Sequence, residues 1–205
     1  MHLKPYSLSL WIVFFLWMVY TFIYTMDLGG FAAALFELIP GLLGVALLTG
    51  LGYKYSDRYL QGKKLSRQGL IMLAVLCLGL LAPLIPALAE GQRASFHWLP
   101  VLVYAPASAL AQELFFRSAL LPVFIRCSPT KRSGILLHAV LFGLWHLPRA
   151  YLASPINPFL GAAAVSIVTF LIGMGWGWQV DRDKTIFWVL VQHTLFLMIL
   201  ALYGL

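Results

Sequence analysis

Seven long apolar stretches follow one another through this chain of 205 residues and leave little sequence over. A helix needs about 20 mostly apolar residues to cross the hydrocarbon layer of a bilayer. The stretches Leu8–Met26, Phe31–Tyr53, Gln68–Ala89, Trp98–Ile125, Ser133 to about Leu152, Phe159–Val180 and Thr185–Leu205 approach or exceed that length. Backbone N–H and C=O groups in lipid must be satisfied within the protein, and a helix does this within its own segment. The pattern therefore predicts an all-α, polytopic membrane helical bundle of about seven transmembrane helices, with Pro148 interrupting the fifth. The connections are short and polar, and the longest, Lys54–Arg67, is too small to fold alone, so residues 1–205 read as a single membrane domain. The composition agrees: 61% hydrophobic and 10% charged residues, against about 25% charged in soluble domains, exclude a water-soluble globule. The first stretch is too long for a signal-peptide core and no small-residue cleavage site follows it, so it reads as a retained span.

Fourteen basic residues against seven acidic ones give a net charge of +7, but the basic residues lie mostly between the apolar stretches. That is a membrane pattern, with the lipid bilayer as the partner and no nucleic acid. Seven spans put Lys4, Lys54, Arg58, Lys63, Lys64, Arg67, Arg126, Lys131, Arg132, Arg182 and Lys184 on one side, and only Arg93 and Arg149 on the other. The rule that basic loops stay inside then predicts a cytoplasmic N-terminus and an outside C-terminus. Cys77 and Cys127 offer neither a disulfide framework nor a thiolate metal site.

An ionisable group near mid-bilayer costs at least about 2.5 to 3.5 kcal/mol on insertion scales, so such residues mark candidate sites. The fourth stretch carries Gln112-Glu113-Leu-Phe-Phe-Arg117, and a separation of four sets Glu113 and Arg117 on one helical face, where they can pair. His146 in the fifth stretch and His193 in the seventh come from further helices, at depths that tilt can bring together. A carboxylate with imidazoles is what proton transfer and water activation require. His138, eight residues before His146, approaches the same region from the cytoplasmic side or is a buried structural histidine. Glu37, three residues before Pro40, either joins a proton path or satisfies backbone groups that the proline frees. Gly173 and Gly177 have the spacing that lets helices approach closely.

At these residues the chain resembles the CAAX-protease and bacteriocin-processing (CPBP, Abi) family of intramembrane proteases, which includes the Rce1-like prenyl-protein endopeptidases. The family's Glu-Glu-x-x-x-Arg motif is matched by Gln112 to Arg117 with one substitution. Its Phe-x-x-x-His motif is matched by Phe142 and His146, and the histidine of its His-x-x-x-Asn/Asp motif by His193. The matching core is residues 98–205, while residues 1–95 carry three spans without a recognisable motif. Gln112 stands where the family has the glutamate thought to activate water, and Leu197 where it has Asn or Asp.

The resemblance implies an intramembrane peptide hydrolase with Glu113, Arg117, His146 and His193 as its catalytic residues and Gln112, His138 and Phe142 as accessories. In that reading Glu113 is the base, His146 holds the water and His193 stabilises the oxyanion; exchange of Gln112 for glutamate is then tolerated. No cofactor is needed, although Glu113, His146 and His193 offer a zinc ligand set without the compact His-Glu-x-x-His pair. The expected substrate is a membrane-anchored protein or peptide and the expected location a bacterial cytoplasmic membrane, with the oligomeric state open. Two alternatives stand beside it: a non-catalytic member of the fold that binds membrane peptides as an immunity or maturation factor, and a proton-coupled transporter.

Overall fold

The structure is a computed structural model that describes residues 5–26, 30–54, 59–60, 67, 70–71, 74–75, 78, 84–89, 91, 93–153 and 157–203. Among these, every regular element is helical: α1 (Pro5–Thr25), α2 (Gly30–Gly50), α3 (Leu84–Ala89), α4 (Pro100–Cys127), α5 (Lys131–Ala153), α6 (Pro158–Asp183) and α7 (Phe187–Tyr203). The predicted third span and the basic connection before it lie largely outside the described residues, as does Cys77. Segments Ser7–Thr25, Pro100–Cys127, Lys131–Ala153 and Pro158–Asp183 are long and apolar enough to cross a membrane, and Leu35–Gly50 and Phe187–Tyr203 are shorter apolar helices. The all-α membrane bundle read from the sequence is the observed architecture.

Local chemistry sets the helix ends. Thr130 Oγ1 accepts the Ser133 N–H at 3.1 Å before α5. Asn157 Oδ1 accepts the Leu160 N–H at 3.1 Å before α6, whose first residue is Pro158, a residue suited to a position that needs no N–H donor. Helix α6 stops at Lys184, in the left-handed region at φ 56°. Pro148 does not interrupt the fifth helix as expected, because α5 runs through it from Lys131 to Ala153. A missing N–H frees one carbonyl, and membrane helices tolerate that where neighbouring helices cover the backbone.

Helix α4 is the axis of the bundle. Its middle segment, Glu113–Leu120, winds as a π-helix in which the Leu121 N–H bonds to the Phe116 carbonyl. This form is rare, usually lasts a single turn, and recurs at functional sites. Seven of its eight residues are buried, so helices pack on all its sides. On one side α2 approaches through glycines: a Cβ on Gly44 would lie 2.8 Å from the Ala119 Cβ, and one on Gly41 3.1 Å from the Ala111 carbonyl. Opposite, α5 and α6 meet just as closely, and a Cβ on Gly173 would lie 2.7 Å from Phe142 Cδ1. The outer faces of α1 and α6 expose Trp11, Phe15, Phe22, Leu160, Ile167 and Trp178. Large apolar faces of this kind suit lipid rather than water.

The helix ends gather in a consistent sense. At one end the Arg126 guanidinium lies 4.2 Å from the centre of the Tyr53 ring, Lys131 pairs with Asp181 at 3.7 Å and the Tyr59 hydroxyl donates to Asp181 at 3.3 Å. The end of α2, the α4–α5 turn and the α6–α7 turn thus share one face. At the opposite end the Ser95 N–H bonds to the Leu202 carbonyl at 2.7 Å, bringing the start of α4 to the end of α7.

Candidate active site

Glu113 and Arg117 are both fully enclosed at the centre of the bundle. Their spacing on α4 brings Arg117 Nη1 to 3.2 Å from Glu113 Oε1. Helix α7 delivers the third member, with His193 Nδ1 2.8 Å from the same oxygen. A cation and an imidazole therefore converge on Oε1, while Oε2 is buried with no hydrogen-bond partner among the described residues.

The guanidinium is held between rings. Its carbon lies 4.2 Å from the centre of Phe142 and 5.2 Å from that of Trp176, and a desolvated cation over aromatic faces gains on the order of 2 kcal/mol. Among the described residues none of its nitrogens makes a well-aligned hydrogen bond, so the ion pair balances its charge and leaves its N–H donors uncommitted. Trp176 also faces the His193 ring at 4.8 Å. Its indole N–H donates to Gln192 Oε1 at 2.9 Å, and Gln192 Nε2 donates in turn to Gln179 at 3.1 Å. This chain of neutral amides fixes α7 against α6 beside the ion pair.

His146 forms the outer part of the site. Its Nδ1 lies 2.8 Å from the Phe142 carbonyl one turn back, and its ring stands edge-on to Phe142 at 4.8 Å and Trp145 at 4.7 Å. It lies within electrostatic reach of His193 and Arg117, without a hydrogen bond to Glu113. A carbonyl and a carboxylate can only accept, so both neutral imidazoles carry their proton on Nδ1 and present Nε2 as a lone pair. Tyr24 stacks on Trp145 at 3.8 Å, and the Arg149 guanidinium lies over Tyr24 at 4.8 Å, closing this wall.

The accessory residues separate. Phe142 is part of the site, as the ring beneath Arg117. His138 is fully buried, edge-on to Phe116 at 6.3 Å and 3.2 Å from a Cβ built on Gly177, within electrostatic reach of Arg117 but two turns below His146. Gln112 donates its amide Nε2 to Ser108 Oγ at 3.2 Å. Leu197, where the motif has a polar residue, is half-buried. Among the described residues no group of three or more His, Cys, Asp and Glu side chains is placed to hold a metal ion, and Glu113, His146 and His193 do not form one.

Sequence reasoning gave no site role to Tyr20 or Gln192 and read Trp176 as packing only. Tyr20 is fully buried against Phe115, Phe116 and Trp145 and lies within electrostatic reach of both Glu37 and Glu113. Nothing local in its apolar stretch marks it, since its neighbours are tertiary. Trp176 and Gln192 pair across helices, which spacing within either helix cannot reveal.

No curated protein and no solved structure matches the chain. A family model does match, that of the type II CAAX prenyl endopeptidase Rce1-like proteins, over residues 94–199. Those residues comprise α4 to α7 up to Ile199, more than half of the chain and all of Glu113, Arg117, His146 and His193. The chain is therefore an integral membrane protein that belongs to the Rce1-like family.

Proposed function

We propose that the protein is an intramembrane endopeptidase in which Glu113 activates water against a peptide bond of a membrane-anchored substrate. The observation that supports it most is the division of labour within one carboxylate: Oε1 is held by Arg117 and His193, and Oε2 is left without a partner among the described residues. Oε2 takes a proton from water, the resulting hydroxide adds to the carbonyl carbon, and the protonated Glu113 returns that proton to the leaving amine as the C–N bond breaks. His146 orients the water through its Nε2 lone pair. Neutral His193 has its N–H committed to Glu113, so it positions the carboxylate instead of donating to the oxyanion. The developing negative charge is balanced by Arg117, whose N–H donors are uncommitted and whose surroundings have a low dielectric. A positioned base contributes about 10² to 10⁴-fold to rate.

The test uses the full chain in lipid nanodiscs with two quenched peptides, one farnesylated at a C-terminal CAAX cysteine and one unmodified, followed by mass spectrometry. Cleavage of either by the wild type, and loss of at least about a hundredfold in Glu113→Gln, is the expected result. Wild-type-like cleavage by Glu113→Gln refutes the mechanism, and the preferred peptide reports whether prenyl recognition comes with the family. Gln112 and Leu197 favour a second reading, a peptide binder that does not cut; it predicts capture of a peptide without product. A proton-coupled transporter predicts pH-dependent flux in proteoliposomes instead. We further propose a cytoplasmic N-terminus in a bacterial cytoplasmic membrane, tested by a reporter fused after Leu205, which should read the outside.

A further inference from the structure

Glu37 is the one acidic residue of α2, a helix outside the segment matched to the family, and it is buried with 6% of its surface exposed. Among the described residues its carboxylate makes no hydrogen bond to the backbone near Pro40. Its Oε2 accepts the Ser108 hydroxyl at 2.7 Å, and Ser108 Oγ accepts the Gln112 amide Nε2 at 3.2 Å. Arg149 lies within electrostatic reach of Glu37 and supplies a countercharge.

The direction of this chain follows from donor count. An ionised carboxylate only accepts, so the single Ser108 proton points to Glu37. Ser108 can then offer Gln112 only a lone pair, which draws the –NH₂ end of the amide and turns the C=O end away. Gln112 Oε1 is consequently buried, with 4% of the residue exposed, and has no partner among the described residues. It belongs to the residue beside Glu113 and is the atom nearest in kind to the carboxylate oxygen that the motif has there. An extended peptide at membrane depth carries backbone N–H donors that need acceptors, and a neutral carbonyl oxygen suits a neutral N–H.

We propose that Glu37 is a positioning residue which, acting through Ser108, fixes the Gln112 amide so that its carbonyl oxygen accepts a backbone N–H of the peptide substrate. The proposal rests on the reading of the chain as a peptide hydrolase. It also reverses the expectation that glutamate is tolerated at position 112: two carboxylates would then compete for one serine proton, leaving one facing a lone pair. Exchanging both residues rebuilds the chain in the opposite direction, with an amide at position 37 donating, Ser108 relaying and a carboxylate at position 112 accepting.

The experiment compares Glu37→Gln, Gln112→Glu and the double exchange in the full chain, first as melting temperatures in nanodiscs. Each single exchange should lower the melting temperature and the double should recover most of the loss; additive losses overturn the relay. The same exchanges placed in the Glu113→Gln background are then titrated with the fluorescent farnesylated and unmodified peptides. Glu37→Gln should weaken binding of the better peptide about two- to tenfold, the effect of one buried hydrogen bond, and the double exchange should restore it. An unchanged Kd across the series, or no binding to any variant, overturns the acceptor role. Cleavage by the wild type is scored separately, so failure of the hydrolase reading is distinguished from failure of the relay.

Discussion

Gln112 and Glu113 are neighbours in sequence, about 100° apart around α4, and bond to different sets of side chains. Glu113 bonds to His193 of α7 and pairs with Arg117 one turn along α4, whose guanidinium lies over Phe142 of α5 and Trp176 of α6. Gln112 faces α2, where it bonds to Ser108 and, through it, to Glu37. The first set forms a wall that is charged, rich in aromatic rings and made from the family segment. The second is a single file of hydrogen bonds that begins outside that segment. A motif on one helix is thus completed by two sets of neighbours, and only one set travels with the motif.

The sharpest way to break this contrast is at the charged wall. Arg117→Ala leaves a buried carboxylate without its cation and should cost about 3 to 5 kcal/mol, read as a large drop in melting temperature in detergent. An unchanged melting temperature would mean that Glu113 is not held as an ion pair. Gly41→Ala tests the other wall, because its Cβ would press on the Ala111 carbonyl at 3.1 Å, next to Gln112. Backbone cannot yield as a flexible side chain does, so a loss of about 1 to 3 kcal/mol is expected, measured by the same unfolding assay. Trp176→Phe should have the smallest effect, about 1 kcal/mol, since it removes the donor to Gln192 Oε1 while keeping an aromatic face for Arg117. A Trp176→Phe loss equal to that of Arg117→Ala would shift the weight of this wall from the ion pair to the amide chain.

Much of the bundle was legible because a bilayer imposes one simple length rule on every spanning segment. The stretch Phe159–Val180 predicts α6 to within a few residues, and the glycines at 173 and 177 predict a close helix approach, whose partner the structure shows to be α5. The pairing of Glu113 with Arg117 was legible too, since it needs only the spacing of four along one helix. The π-helical segment was not, because the bonding pattern at Glu113–Leu120 depends on the helices packed around it. Nor was the continuity of α5 through Pro148, where propensity predicted a break and packing overrode it.

Glu37 marks the limit most clearly. From sequence it was an acidic residue near a proline with two equal explanations, and the answer depended on which side chain of α4 lay opposite. The sequence alone determined that the chain lives in lipid, that its elements are long apolar helices, and which titratable residues are too costly to be there without a purpose, because each follows from the price of polarity in hydrocarbon. Tertiary structure decided which nitrogen faces which oxygen: His193 on Glu113, His146 on its own backbone, Gln112 on Ser108. Those choices rest on angles and distances of a few ångströms between different helices, and no periodicity within one helix encodes them.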